Sequence, residues 1–208
     1  MDKICQYSKL MENEKELRVL EAAKTVFLRY GFRRVTMQDI AEAAGISRPA
    51  LYLIYPNKEE VFKAAIRQMA AENIRQIRED LSANPTIESK LQQAFEIWSV
   101  GPFRIMLNSP DAKDLIDCTH GFARAEMEEI TWQFNNLLIE ILAPHIPHPL
   151  TNRLSSNPID AQQIAQILNA AIHSFKDSAA TVPELQSMIK GLITLTIAGM
   201  QSLPASQP

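Results

Sequence analysis

The chain is 208 residues long, 46% apolar and 22% charged, a balance that excludes an intrinsically disordered protein. Its net charge of −3 argues mildly against nucleic-acid binding by the chain as a whole, and two cysteines, Cys5 and Cys118, are too few for a disulfide framework. No apolar run approaches the ~18 residues of a membrane span, and the first residues lack the apolar centre of a signal peptide. A cytoplasmic protein without membrane contact is expected, and the near-absence of cysteine suits a reducing compartment. Glycine is scarce, apolar residues recur at three- and four-residue intervals, and β-type alternation is missing, so the fold is expected to be all-α, with about nine helices.

Charge is uneven. Residues 1–58 hold ten Lys and Arg against seven Asp and Glu, a balance of +3, while the other 150 residues hold eleven against seventeen, a balance of −6. A basic module on an acidic body is compatible with phosphate binding.

In chain order, residues 1–13 read as a flexible arm with Lys3 and Lys9. A helix is expected over about Glu14–Tyr30, with Leu17, Leu20, Ala23, Phe27 and Tyr30 on one face and Gly31 ending it. Thr36 reads as an N-cap with Asp39 at N3, a shortened capping box. Ile40, Ala41 and Ala44 give that helix a short apolar face, and Gly45 supplies the left-handed residue that ends it. Ser47 caps again, and a second short helix runs from Arg48 to about Tyr55. Helix, Gly-containing turn and helix make a helix-turn-helix, whose second member enters the DNA major groove. Pro56 then breaks the chain, and Asn57 caps a helix that runs to about Leu81.

Beyond SANPT (82–86), helices are expected over about Ile87–Ser99, interrupted by Gly101-Pro102, then over a short segment with Phe103 and Met106, then over much of Asp111–Ala143 with a joint at Gly121. The proline-rich stretch 144–158 reads as a loop. Two helices close the chain: Asp160 to about Ser178, and one from Pro183 with the stripe Leu185, Met188, Ile189, Leu192, Leu195, Thr196 and Gly199. Residues 203–208 read as a disordered tail.

The runs RVLEAAKTVFLRYGF, VTMQDIAEAAGIS and ALYLIYPNKEEVF, in this order and at this spacing, resemble the DNA-binding domain of the tetracycline-repressor (TetR) family of bacterial regulators over residues 14–62. The resemblance implies a three-helix DNA-binding domain over 14–60 and a helical ligand-binding and dimerisation domain over 61–202. It also implies double-stranded DNA as partner, a homodimer through the last two helices and a small-molecule effector, without a cofactor. The chain departs from the family's pattern at Ile54, where many relatives carry a His that touches phosphate.

On this reading Leu51, Ile54 and Tyr55 face the domain core, and Arg48, Pro49, Tyr52 and Leu53 face outward. Arg48 suits a bidentate bond to guanine, and Pro49, Ala50 and Leu53 suit thymine methyls. Thr36 and Ser47 cap helices whose starts favour phosphate. Tyr52 and Lys58 match family positions that touch the DNA backbone. The middle of the chain concentrates large side chains, among them Phe95 and Phe134. The candidate ligand-binding residues are Trp98, Phe103, Met106, Phe122, Met127, Trp132 and His173, a set suited to an apolar effector. His120 is a further polar group able to orient a ligand.

Asp111, Asp114, Asp117, Cys118 and His120 match no metal-ligand spacing, and no nucleophile or phosphate-loop motif is present. The expectation is a homodimeric repressor, not an enzyme, that leaves a palindromic operator when the effector binds. Two alternatives remain: the same fold controlled by a protein partner or working without an effector, and a helical small-molecule-binding protein or enzyme with a vestigial helix-turn-helix.

Overall fold

The structure, a computed structural model, describes residues 2–109, 112–146, 150–152 and 155–202, with side chains for 14–109, 114–146 and 159–202. The expected tail 203–208, Asp111 and His148 lie outside the described residues. The helices are α1 (Asp2–Arg34), α2 (Met37–Ala43), α3 (Arg48–Tyr52), α4 (Lys58–Leu81), α5 (Ile87–Phe95), α6 (Gly101–Leu107), α7 (Ala112–His120), α8 (Arg124–Leu142), α9 (Ala161–Ser178) and α10 (Val182–Ser202). Two compact units contain them: residues up to 71 with 106–128, and residues 72–105 with those from 129 onward. The helix-turn-helix unit is therefore larger than the expected 14–60, since 61–71 and 106–128 pack with it.

In the first unit α1 begins at Asp2, not at Glu14 after an arm, because residues 2–30 contain neither Gly nor Pro to stop a helix. It breaks at Gly31, whose φ of 75° and ψ of 164° only glycine adopts without strain. Its buried face is Val19, Leu20, Ala23, Val26 and Phe27; Leu17 and Tyr30, expected inside, are partly exposed. The unit's core joins these to Ile40, Leu51, Val61 and Phe62, with Cys118 and Ala123 from the α7–α8 segment. Phe27, Phe32, Phe62 and Phe122 form an aromatic cluster with ring centroids 5.0–5.6 Å apart.

In the second unit the core gathers Phe95, Phe134, Leu137, Leu138, Leu168, Ile172 and Leu185. The helix expected to stop at Gly101-Pro102 does not stop: α5 continues through a π-helical turn, Glu96–Val100, into α6. Pro102 has no N–H for the carbonyl four residues back and its ring crowds that carbonyl. The widened turn relieves the conflict, the N–H of Gly101 bonding the Glu96 carbonyl five residues back.

The stretch expected to be a loop also holds structure. A 3₁₀ turn at Ala143–His145 precedes an antiparallel pair, β1 (Leu150–Asn152) and β2 (Ser155–Ile159), with Leu150 opposite Ile159 and Asn152 opposite Ser155. Pro158 is tolerated because each strand of a two-stranded ribbon is an edge. Among the described residues the fold is all-α apart from this ribbon.

Asp160 caps α9 in a capping box with Gln163, the N–H of Gln163 donating to Oδ1 at 2.8 Å. In α10 the inward residues are Leu185, Ile189 and Ile193; Leu195, placed on the inward stripe by sequence, is 73% exposed.

Candidate nucleic-acid interface

The helix-turn-helix forms from local rules. Thr36 and Asp39 make a full capping box: the Asp39 N–H donates to Thr36 Oγ1 at 3.3 Å, and the Thr36 N–H donates to Asp39 Oδ2 at 2.8 Å. Thr36 Oγ1 also donates to the same carboxylate oxygen, and these bonds lower the Asp39 pKa. At the other end α2 closes in a Schellman motif. The N–H of Ile46 bonds the Ala41 carbonyl, the N–H of Gly45 bonds that of Glu42, and Gly45 sits at φ +66°.

Ser47 then caps α3, its Oγ accepting from the Ala50 N–H at 3.3 Å, and Pro49 occupies the first turn, where its missing N–H breaks no helical bond. Leu51 and Tyr55 turn inward and are buried, and Ile54 packs partly against the core. The Tyr55 hydroxyl donates to Glu16 Oε1 at 2.7 Å. Burial, then this carboxylate, raises its pKa well above the ordinary phenol value, so the phenol stays protonated. The outward face is Arg48, Pro49, Tyr52 and Leu53, all exposed, Leu53 at 89%. Ala50 is half-buried. Nη2 of Arg48 donates to the Tyr52 hydroxyl at 3.3 Å.

Lys58 is more constrained than the sequence indicated. Its ammonium donates to the carbonyls of Phe32 and Val35, both at 2.7 Å, and lies over the Phe32 ring; burial lowers its pKa. Two of its three donors thus close backbone groups after the Gly31 break.

Ser109 and the α7–α8 segment hold the same region from the other side. Asp114 Oδ2 accepts from the Arg33 N–H at 2.9 Å, Asp117 pairs with the Arg33 guanidinium at 3.7 Å, and Ser109 Oγ donates to the Leu28 carbonyl. Glu126, partly buried, pairs with Arg67 at 3.3 Å and Lys63 at 3.8 Å. From the sequence, Asp114 and Asp117 are weighed as metal ligands, match no such spacing, and are not paired with Arg33. No local spacing announces the contacts of Asp114 and Asp117 with Arg33.

The expected ligand-binding residues divide between the two units. Trp98 stacks flat on Phe134 at 4.2 Å, and Phe103 is buried in the same core. Phe122 belongs to the aromatic cluster of the first unit, where Met106 and Met127 are half-buried. Trp132 is 60% exposed, and His173 and His120 also lie at the surface. Among the described residues no group of three or more His, Cys, Asp or Glu is placed to hold a metal ion, and no helix is long and apolar enough to cross a membrane.

Residues 19–65 match the family model described as bacterial regulatory proteins, tetR family. The HTH-type transcriptional regulator YfiR of Bacillus subtilis is 39% identical over 66 residues, 32% of this chain and 32% of YfiR, so that match spans about a third of the relative. The HTH-type transcriptional regulator RutR of Escherichia coli strain K12 is 27% identical over 173 residues, covering 81% of this chain and 76% of RutR. Among solved structures, the FadR repressor of Thermus thermophilus in complex with lauroyl-CoA superposes with a TM-score of 0.60 at 21% identity, covering 93% of this chain and 98% of that one. This last likeness establishes the shared fold.

Proposed function

The chain belongs to the TetR family of bacterial regulatory proteins, and from that premise we propose that it is a homodimeric repressor that leaves a palindromic operator when a small, largely apolar effector binds. The outward face of α3 carries this reading. Leu53 is 89% exposed beside Arg48, Pro49 and Tyr52, whereas Leu51 on the opposite side is fully buried. An apolar and aromatic outward face suits a helix seated in a groove, with Arg48 bonding guanine and Pro49, Ala50 and Leu53 against thymine methyls. Thr36, Ser47 and Tyr52 hold phosphates at the edges, and Lys58, with two donors engaged, adds at most one phosphate bond.

One such module buries only roughly 600–1,000 Å², so a dimer with half-sites about one helical turn apart supplies the rest. Ile167 on α9 and Leu195 on α10, 57% and 73% exposed, are the apolar side chains that support a dimer face on the last two helices. Trp98 and Phe103 in the second unit's interior suit an apolar effector, and an acyl chain is the first class to test, since the Thermus repressor is described with lauroyl-CoA. Release requires only that the effector favour one spacing of the two α3 helices over another, through α4, with a coupling of ~1–3 kcal/mol.

The test is selection of random duplex DNA by the full chain. An inverted repeat is expected, and a pool without an enriched site would refute the reading.

A further inference from the structure

One contact on the outward face of α3 has no part in the roles assigned above. Arg48 and Tyr52 are i,i+4 neighbours on one face of the helix. Arg48 Nη2 donates to the Tyr52 hydroxyl at 3.3 Å, and the guanidinium carbon stands 5.5 Å from the ring centroid. Both side chains are exposed. Among the described residues Arg48 has no carboxylate partner, and the Tyr52 hydroxyl has no acceptor for its own proton.

A phenol accepts one hydrogen bond while donating another. Arg48 uses the accepting side of Tyr52, so the phenolic proton remains for an acceptor outside the protein. A guanidinium has five N–H groups in a planar fork, and a single N–H to the phenol leaves an edge free for a planar acceptor pair. An unsupported arginine loses most of its rotamer freedom when it binds a base. One already leaning on a ring and a hydroxyl loses less.

We propose that Tyr52 is a positioning residue for base reading: its hydroxyl donates to a DNA phosphate while its oxygen and ring hold Arg48 at the guanine edge. The backbone contact and the base contact are then one unit, and Tyr52 sets specificity without touching a base. This rests on the reading of α3 as the groove helix.

The experiment uses the full-length protein as wild type, Tyr52→Phe, Arg48→Ala and the double variant. Each is assayed against the selected site and against single-base variants of it, over a range of salt, and melting temperatures are recorded. Arg48→Ala identifies the base pair that Arg48 reads. Tyr52→Phe keeps the ring and loses only the oxygen. It is expected to weaken binding to every sequence by the lost phosphate bond and, beyond that, to lower discrimination at that same base pair about threefold to tenfold, with discrimination at other positions, the salt slope and the melting temperature unchanged. The double variant should discriminate no worse than Arg48→Ala alone.

Two results overturn the proposal while leaving the groove reading intact. One is a Tyr52→Phe protein that binds all sequences more weakly by the same factor. The other is one whose discrimination equals wild type. A wild-type protein that enriches no site overturns the groove reading itself, and this proposal with it.

Discussion

The ammonium of Lys58 lies 4.3 Å from the ring centroid of Phe32 and donates to the Phe32 carbonyl at 2.7 Å. The same ammonium reaches the Val35 carbonyl, and Asp114 takes the intervening Arg33 N–H. Gly31 has broken α1 just before this stretch, so its backbone groups need partners from elsewhere. They find them on α4 and α7, which fixes the connection leading into α2.

Lys58→Met keeps the stem and removes the donors, leaving two carbonyls in a half-buried site without partners. A loss of about 1–3 kcal/mol is expected in urea unfolding. Arg48→Ala, which removes an exposed side chain, should stay within about 0.5 kcal/mol. Equal midpoints for wild type and Lys58→Met would rule out the clamp.

The capping box at Thr36 gives a pH dependence of known sign. Hydrogen bonds from Thr36 hold the Asp39 carboxyl below its usual 3.8. The folded pKa is the depressed one, so the stabilisation is complete above the unfolded value and disappears as pH falls through the folded value. Thr36→Ala should cost about 1 kcal/mol at neutral pH. It should also bring the Asp39 titration, followed by NMR, back towards 3.8. A carboxyl that titrates identically in both proteins would contradict the assignment.

What the sequence made legible follows the range of the forces involved. Thr36, Gly45, Ser47 and Asn57 act on backbone groups a few residues away, so their caps and turn could be read from spacing alone. Helix faces were read less well: Leu17 and Leu195 fit a three- and four-residue periodicity, yet they lie on the outward edge of their helices. Periodicity finds a stripe but not its centre. The bonds of Lys58 to Phe32 and of Asp114 to Arg33 join residues 26 and 81 positions apart, and no local pattern announces them. The π turn was visible only as Gly101-Pro102, which reads as a stop until five-residue bonds are allowed.

The two tryptophans offer a direct reading of the effector proposal. Trp98 stacks on Phe134 inside the second unit, and Trp132 is 60% exposed. Trp132→Phe leaves Trp98 as the sole indole, with the blue-shifted emission of an apolar site. An acyl chain entering that interior must disturb the stack, so titration with an acyl-CoA should give a saturable change in Trp98 emission and release DNA over the same concentrations. Emission that stays constant while DNA is released would place the effector elsewhere.

Dimerisation is the assumption on which an inverted-repeat operator depends, and Leu195 tests it most sharply. At 73% exposed on α10, it has little cover among the described residues, and Ile167 on α9 is 57% exposed. A leucine withdrawn from water contributes about 1.5–3 kcal/mol, and a two-fold interface contains it twice. Leu195→Glu replaces that gain with two carboxylates brought into one interface. The dimer should weaken by about a hundredfold or more, which sedimentation over a dilution series would measure. The side chain makes no demand on the monomer's core, so helicity should persist, and binding should fall more steeply on the full palindrome than on an isolated half-site. A Leu195→Glu protein that remains dimeric at micromolar concentration would remove α10 from the interface. The half-site comparison would then show whether another surface joins the two copies or whether the chain binds DNA as a monomer.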